Sequence, residues 1–439
     1  MKKNSRAITM LALSACVAVE AQNPIVPTGS YMADPSAHQW KDGKVYVYGS
    51  RDESKQYYCS SHYDVLVSED MINWKMERDV FSSVSPKDEV SYSDRKLYAP
   101  DCIEKDGKYY LFYCLDGGGE DEGTAVADSP VGPYKDGQIV KGARQIDPSV
   151  FIDDDGQAYM TWGQFECKMA KLKPNMREID PETIRTDVLT EEEHYFHEGS
   201  QLIKRNGLYY LIFADISRRG RPTSIGYATA TSPFGPYTYR GVIVDNYGSD
   251  PRVWNNHGSL AEVNGQWFVF YHRPTDESVM MRKACVEPIT FNADGSINEV
   301  EMTTQGAAGP LNPFKEMEAE RACYLTGHVR VHRDADGNEM LDEIRNEDTA
   351  AFKYFQFDRT PTSMTISVRS TQGGTIHVYA NNLSRPRLCT FQVPASDGKE
   401  VIRLTQKITH KLDGKHPIFF RFNGEGDTDL FAIESFQFE

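Results

Sequence analysis

Three acidic residues stand nine positions ahead of a turn glycine: Asp34 before Gly43, Asp147 before Gly156 and Glu198 before Gly207. Asp101 and His257 occupy the corresponding place ahead of Gly107 and Gly265. A protonated carboxyl can give its proton to a leaving oxygen, and a carboxylate can take a proton from water or attack carbon itself. Carboxyls from separate segments that converge on one point can do both at once. An Asp ahead of Pro or Gly is often only a turn former. The shared spacing of all three is what marks Asp34, Asp147 and Glu198 as a set.

The segments that position them repeat five times. Each copy has a polar residue, a small turn, an apolar strand, an Asp-Gly or Asn-Gly turn and an aromatic-rich strand, as in Asp42-Gly43-Lys44-Val45-Tyr46-Val47-Tyr48 and Asp106-Gly107-Lys108-Tyr109-Tyr110-Leu111-Phe112. The turn glycines fall 64, 49, 51 and 58 positions apart. Repeats of that length, each holding a hairpin, predict a five-bladed β-propeller with about four strands per blade. One strand of each blade lines the central axis, so Asp34, Asp101, Asp147, Glu198 and His257 converge on one pocket. Asp101 lies six residues before its glycine, off the common spacing, and reads as structural. The near-identical turns Ser129-Pro130-Val131-Gly132-Pro133-Tyr134 and Ser232-Pro233-Phe234-Gly235-Pro236-Tyr237 are a second sign of repetition.

The chain is all-β in pattern and divides in three. Residues 1–21 read as a signal peptide, 22–308 as the propeller and 313–439 as a β-sandwich of jelly-roll type, with a small, unpatterned linker at 305–310. A helical excursion is expected at 181–194. Lys2, Lys3 and Arg6 precede the apolar run 7–19, too short to span a bilayer, and Val19-Glu20-Ala21 offers a cleavage site. Leu13-Ser14-Ala15-Cys16 competes as a lipobox, which would make Cys16 a lipid anchor. Either way the chain is expected outside the cytoplasm: secreted, periplasmic, or an outer-membrane lipoprotein touching a membrane only through Cys16.

At 439 residues, with a net charge of −16, the chain is too acidic for nucleic acid or an anionic membrane surface as partner. A neutral polysaccharide is compatible. Past Ala21 there are seven cysteines, an odd number with no CxxC pair, so neither a disulfide scaffold nor a zinc knuckle is indicated. Cys102 and Cys114 either pair within one hairpin or stay buried thiols. Trp40, Trp162, Phe165, Phe196 and Trp254 flank the axial residues and could stack on a sugar ring or pack in the core.

Five motifs carry a resemblance: Ala-Asp-Pro-Ser at Asp34, Ala-Pro-Asp at Asp101, Ile-Asp-Pro-Ser at Asp147, His-Glu-Gly-Ser at Glu198 and Asn-Asn-His-Gly-Ser at His257. In this order and register, residues 24–306 resemble glycoside hydrolase family 43, five-bladed propellers that remove pentose units from plant polysaccharides. The resemblance implies an inverting hydrolase acting as an α-L-arabinofuranosidase or β-xylosidase on arabinoxylan, arabinan or arabinogalactan. Asp34 would be the general base and Glu198 the general acid, and Asp147 the anion that orients Glu198 and holds its pKa up. It also implies that Arg282 contacts the sugar, joining Trp254, Trp162 and Phe196 as substrate-binding candidates. His257 would help hold a central calcium through water; no cofactor is required for the chemistry. Alternatives of the same fold are a galactan- or galactose-processing glycosidase and a propeller that binds glycan without cleaving it.

Residues 313–439 resemble a family 6 carbohydrate-binding module through Met317-Glu318-Ala319-Glu320, Gly373-Gly374-Thr375-Ile376 and Phe431-Ala432-Ile433-Glu434-Ser435-Phe436. Glu318, Glu320 and Glu434, from the expected first and last strands, are candidate ligands for a structural calcium. The cleft tryptophan of such modules is missing, since Trp267 is the last in the chain, and Tyr354 is the remaining candidate platform.

Overall fold

The computed structural model describes residues 22–117, 119, 122–218, 223–250 and 255–439; the candidate signal segment and Trp254 lie outside them. Five sheets follow one another along the chain, antiparallel except where Val300–Glu301 adds a short parallel edge to the fourth. The first holds Ala33–Gln39, Val45–Ser50, His62–Ser68 and Lys75–Ser82, and the second Leu97–Lys105, Lys108–Leu115, Gly123–Ala127 and Lys135–Ile139. The third runs from Ser149–Ile152 to Arg185–Thr190, the fourth from Phe196–Arg205 to Thr238–Asp245, and the fifth from Gly258–Val263 to Ser278–Pro288. These are the blades of a five-bladed propeller. Val, Tyr, Phe and Ile dominate the inner strands because both faces of a blade are covered by neighbours.

Packing makes the ring. Five apolar clusters each straddle two consecutive blades, and the fifth joins Phe268, Phe270 and Val286 of the last blade to Val45, Val47 and Leu66 of the first. The segment ahead of the first blade helps closure: the Ile25 and Met32 amides donate to the Ala284 and Arg282 carbonyls. Asn206-Gly207 and Asn264-Gly265 turn with positive φ at both residues, the type I′ geometry that suits a two-residue hairpin. The twin Pro-containing turns close alike, with Tyr134 donating to the Pro130 carbonyl and Tyr237 to the Pro233 carbonyl.

The expected helical excursion is mostly strand. Pro181–Thr183 is a single 3-10 turn and Glu191–His194 a single α turn, and Arg185–Thr190 between them completes the third blade. Cys102 and Cys114 are buried free thiols, as are the other five described cysteines. In the hairpin Cys102 faces Leu111, and Cys114 faces Tyr98, so the two are not cross-strand partners.

Beyond the linker, two sheets form a β-sandwich. Arg330–Arg333, Glu339–Asp342, Phe431–Phe438, Ser363–Ser370 and Ile402–Lys407 form one, with Met317–Glu318 paired to Phe431–Phe438. Tyr324–Thr326, Thr349–Phe357, Gly414–Asn423, Gly374–Ala380 and Arg387–Val393 form the other. Phe352, Phe420 and Phe436 meet edge to face or tilted in its core, with centroids 4.7–5.4 Å apart. Tyr354 is committed to the propeller, its hydroxyl donating to Glu301 and its ring covered by Lys415.

Candidate active site

A cavity of about 270 Å³ opens at the axis and is lined by Asp34, Asp147, Glu198, His257, Arg282 and Tyr58, with Gln164, His197 and Tyr98 among its walls. The three spaced acids therefore share one pocket. Local backbone aims them. Asp34 and Asp147 have φ of 52° and 62°, in the left-handed region that non-glycine residues occupy at a cost. Bulges interrupt the pairing at Asp34 and on both sides of Glu198, turning these side chains out of their strands. Gly199 has no alternative at its position, because a Cβ there would lie 2.4 Å from His257 Nε2.

Asp34 is buried and surrounded by donors. Its Oδ1 accepts from Arg282 Nη1 at 2.9 Å and lies 3.4 Å from His257 Nδ1, while Oδ2 accepts from Ser50 Oγ at 2.7 Å. Burial pushes this carboxyl up, but Arg282 and His257 outweigh it and hold it well below the ordinary range, so Asp34 is ionised. The Asp34 amide donates to His272 Nδ1 at 3.1 Å, which leaves the His272 proton on Nε2, 3.1 Å from Asn255 Oδ1. Burial and the nearby Arg282 keep His272 neutral. His257 is different: burial pulls it down, yet its contact with the ionised Asp34 and the carboxyls around it raise it to about 9, so it is an imidazolium.

Glu198 sits nearer the mouth, with its side chain 28% exposed against 7% for Asp34. Its Oε2 accepts from Gln164 Nε2 at 2.7 Å, and His197 Nε2 stands 3.8 Å away. Asp147 is buried, and its pKa is raised to about 8 by burial and by the charges of Glu198 and Asp34, against the pull of His257. The residue expected as the anion beside Glu198 is therefore a carboxyl whose pKa lies high. Burial disfavours the charged form of Asp147 and so favours its proton.

Arg282 reaches the pocket but is already occupied. Its Nε and Nη2 clamp both oxygens of Asp52 at 2.8 Å, Nη1 holds Asp34, and the side chain is 6% exposed. It orients the carboxylate while still lining the pocket. Trp162 and Phe196, expected as sugar platforms, are fully buried in clusters between blades, because they sit on the inward faces of their strands. The aromatic walls of the pocket are instead Tyr58 and Tyr98. Asp52, Gln164 and Tyr58 come from segments outside the repeat, and His272 from the far part of the fifth copy's aromatic strand, so the spacing of acids and glycines carried no signal for them; only the acid Asp52, in Ser50-Arg51-Asp52 just past the first hairpin, could have been suspected.

The expected calcium sites meet a poor fit. Calcium wants 6–8 oxygen ligands. Below the pocket lies a cavity of about 20 Å³ bounded by Asp34, Asp101, Asp147 and His257, room for about one water. Asp101 has both oxygens satisfied, Oδ1 by Ser36, His38 and the Cys102 amide and Oδ2 by Ser149 and the Val150 amide, so it ties three blades together. In the sandwich, Glu318 pairs with Arg321 and Glu434 with Arg369, while Glu320 is buried beside the propeller. Among the described residues no three His, Cys, Asp or Glu side chains form a metal-binding group.

Known proteins are similar to this chain in sequence and fold. The profile of glycosyl hydrolases family 43 matches residues 21–297, and that of carbohydrate binding module (family 6) matches residues 318–439. A xylosidase/arabinosidase of Thermoclostridium stercorarium is 28% identical, over 93% of this chain and 97% of its own length. The crystal structure of an arabinoxylan arabinofuranohydrolase from Bacillus subtilis, in complex with cellotetraose, superposes with a TM-score of 0.56 at 26% identity, covering 96% of this chain and 99% of that one. A β-xylosidase/α-arabinofuranosidase from a compost metagenome gives 0.55 at 31% identity, covering 64% of this chain and 98% of its own. With its propeller matched nearly end to end and its sandwich matched as a carbohydrate-binding module, the chain belongs to glycoside hydrolase family 43.

Proposed function

We propose that this hydrolase releases pentose units, as an α-L-arabinofuranosidase, a β-xylosidase or both, from arabinoxylan or a related plant polysaccharide, with inversion at the anomeric carbon. The observation that carries the mechanism is the meeting of an ionised Asp34 with the Asp147–Glu198 pair in one pocket. Asp34 takes a proton from water as that water attacks the anomeric carbon, and Glu198 protonates the departing oxygen. Arg282 and Ser50 fix the Asp34 oxygens, and the His257 cation balances the cluster. Asp147, raised to about 8, is protonated near neutral pH. A sugar seated at the mouth displaces water from Glu198, and desolvation favours the protonated form that an acid needs. At about 270 Å³ the pocket lies at the small end of ligand sites, which suits a terminal sugar better than the middle of a chain. Relatives named for xylose and arabinose release support the pentose assignment. Turnover of aryl α-L-arabinofuranosides or β-D-xylosides, compared with aryl galactosides, tests it; a galactoside preference would refute it.

Export belongs to the same proposal. Asn23 is fully buried, its amide donating to the Thr304 carbonyl and its side chain to Glu287, so cleavage after Ala21 keeps these anchoring contacts. Mass spectrometry of the mature chain should find Gln22 first. A lipidated Cys16 at the N-terminus would instead make it a membrane-anchored lipoprotein.

A further inference from the structure

The strand Ser278–Pro288 carries Arg282 and Lys283 side by side, and neighbours on a strand point to opposite faces. Arg282 points into the pocket, onto Asp34 and Asp52. Lys283 points away into the sandwich, where its ammonium pairs with Glu339; the two side chains are 5% and 2% exposed. The other Glu339 oxygen, Oε1, accepts from the Gly29 amide at 3.2 Å. From Gly29 the chain runs through Tyr31, whose ring lies 5.2 Å from Lys283 Nζ, to Met32, whose amide donates to the Arg282 carbonyl at 2.9 Å, and then to Asp34. One sandwich carboxylate therefore grips both segments that deliver the Asp34–Arg282 pair. The same face of the sandwich holds the turn where the Arg282 strand begins: Arg330 pairs with Glu277 at 2.7 Å and His332 lies 3.5 Å from Asp276.

A buried ion pair is a weak way to gain stability, since desolvating two charges offsets most of their attraction, and an apolar pair would serve as well. What an ion pair with a second hydrogen bond does supply is a fixed direction. Asp34 needs it: its left-handed backbone is strained and persists only where its surroundings hold it.

We propose that Glu339 is a positioning residue for the active site, and that through its grip on Lys283 and Gly29 the C-terminal domain sets the geometry of Arg282 and Asp34. This rests on the reading of Asp34 as the base. The test uses the full-length enzyme and whichever aryl glycoside it turns over. Glu339→Gln is isosteric and keeps an acceptor for Gly29 but removes the charge facing Lys283. As a control, Lys353→Met removes the Lys353–Glu301 pair, which joins the same two domains away from the Asp34 and Arg282 segments.

With folding confirmed by near-UV circular dichroism and melting, Glu339→Gln is expected to lower kcat roughly ten- to hundredfold, the scale of a small misplacement of a catalytic group. KM should stay within about twofold, because sugar binding is untouched. Lys353→Met should lower the melting temperature and leave kcat unchanged. A folded Glu339→Gln with wild-type kcat overturns the proposal, and so does an equal loss in both variants, which would indicate general loosening of the interface. Should Glu339→Gln fail to fold, Glu339→Asp retracts the charge by one methylene and the same criterion applies to it. Asp34→Asn, assayed alongside, separates the two ideas. If it is inactive while Glu339→Gln is normal, only the positioning role falls; if it is active, the base assignment falls and takes this proposal with it.

Discussion

Replacing Arg282 by Met tests how the site keeps its base ready. Arg282 is the shared partner of two buried carboxylates, Asp34 and Asp52, at 2.8–2.9 Å, and Met fills much of its space without a charge. Removing one side of a buried ion pair strands the other, at a cost of about 3–5 kcal/mol. For a domain of this size that corresponds to a fall in melting temperature of roughly 6–20 °C near neutral pH. The sign of the pH effect follows from the depressed Asp34 pKa. In the wild type the stability that this ionised carboxylate contributes is present above the ordinary carboxyl pKa and is lost only as pH falls through its much lower folded value. Without Arg282 the folded value rises, so the penalty of the variant should shrink on acidification as the stranded acids take up protons. Activity should move the same way: the acidic limb of kcat/KM should shift to higher pH, because the base is protonated sooner. The assays are thermal melts and pH–rate profiles from pH 4 to 8 on an aryl glycoside. A variant whose acidic limb stays in place would refute the claim that Arg282 keeps Asp34 ionised.

Other consequences are open to direct measurement. Glu198→Gln should abolish hydrolysis of natural glycans but spare aryl glycosides with good leaving groups, which need less protonation; equal losses on both would remove Glu198 from the acid role. Asp147, raised to about 8, keeps its proton in the folded state where the unfolded chain has lost it, so wild-type stability should fall from about pH 4 to about pH 8. Asp147→Asn should flatten that fall in thermal melts while lowering activity, and an unchanged slope would contradict the shift. Tyr354 is engaged with Glu301 and Lys415, so Tyr354→Ala should not change retardation of the full-length chain in affinity gels containing xylan or arabinan; reduced retardation would make it a glycan platform after all.

The repeat made the fold and the three acids readable because a propeller brings equivalent residues to one axis, so sequence period translates directly into proximity. The off-spacing Asp101 reads correctly as structural for the same reason: its carboxylate is spent on Ser36, Ser149 and the Val150 amide. What period cannot show is which way a side chain faces. Trp162 and Phe196 neighbour the axial residues in sequence, yet strand alternation sends them into the inter-blade core. Arg282, carried over by resemblance as a sugar contact, is enclosed by Asp52, an acid that lies in no repeated motif. The raised pKa of Asp147 depends first on its burial, a three-dimensional quantity. Glu318 and Glu434 do reach adjoining strands, as the order of the chain suggests, but each is paired with its own arginine.

The central claim is that Asp34 activates water and does not attack the sugar. It is tested most directly by proton NMR of the first sugar released by the wild-type enzyme, recorded before mutarotation. Water activation predicts that the anomeric proton appears first with the configuration opposite to that of the substrate. First appearance of the same configuration would contradict the account and make Asp34 a nucleophile that forms a covalent glycosyl intermediate.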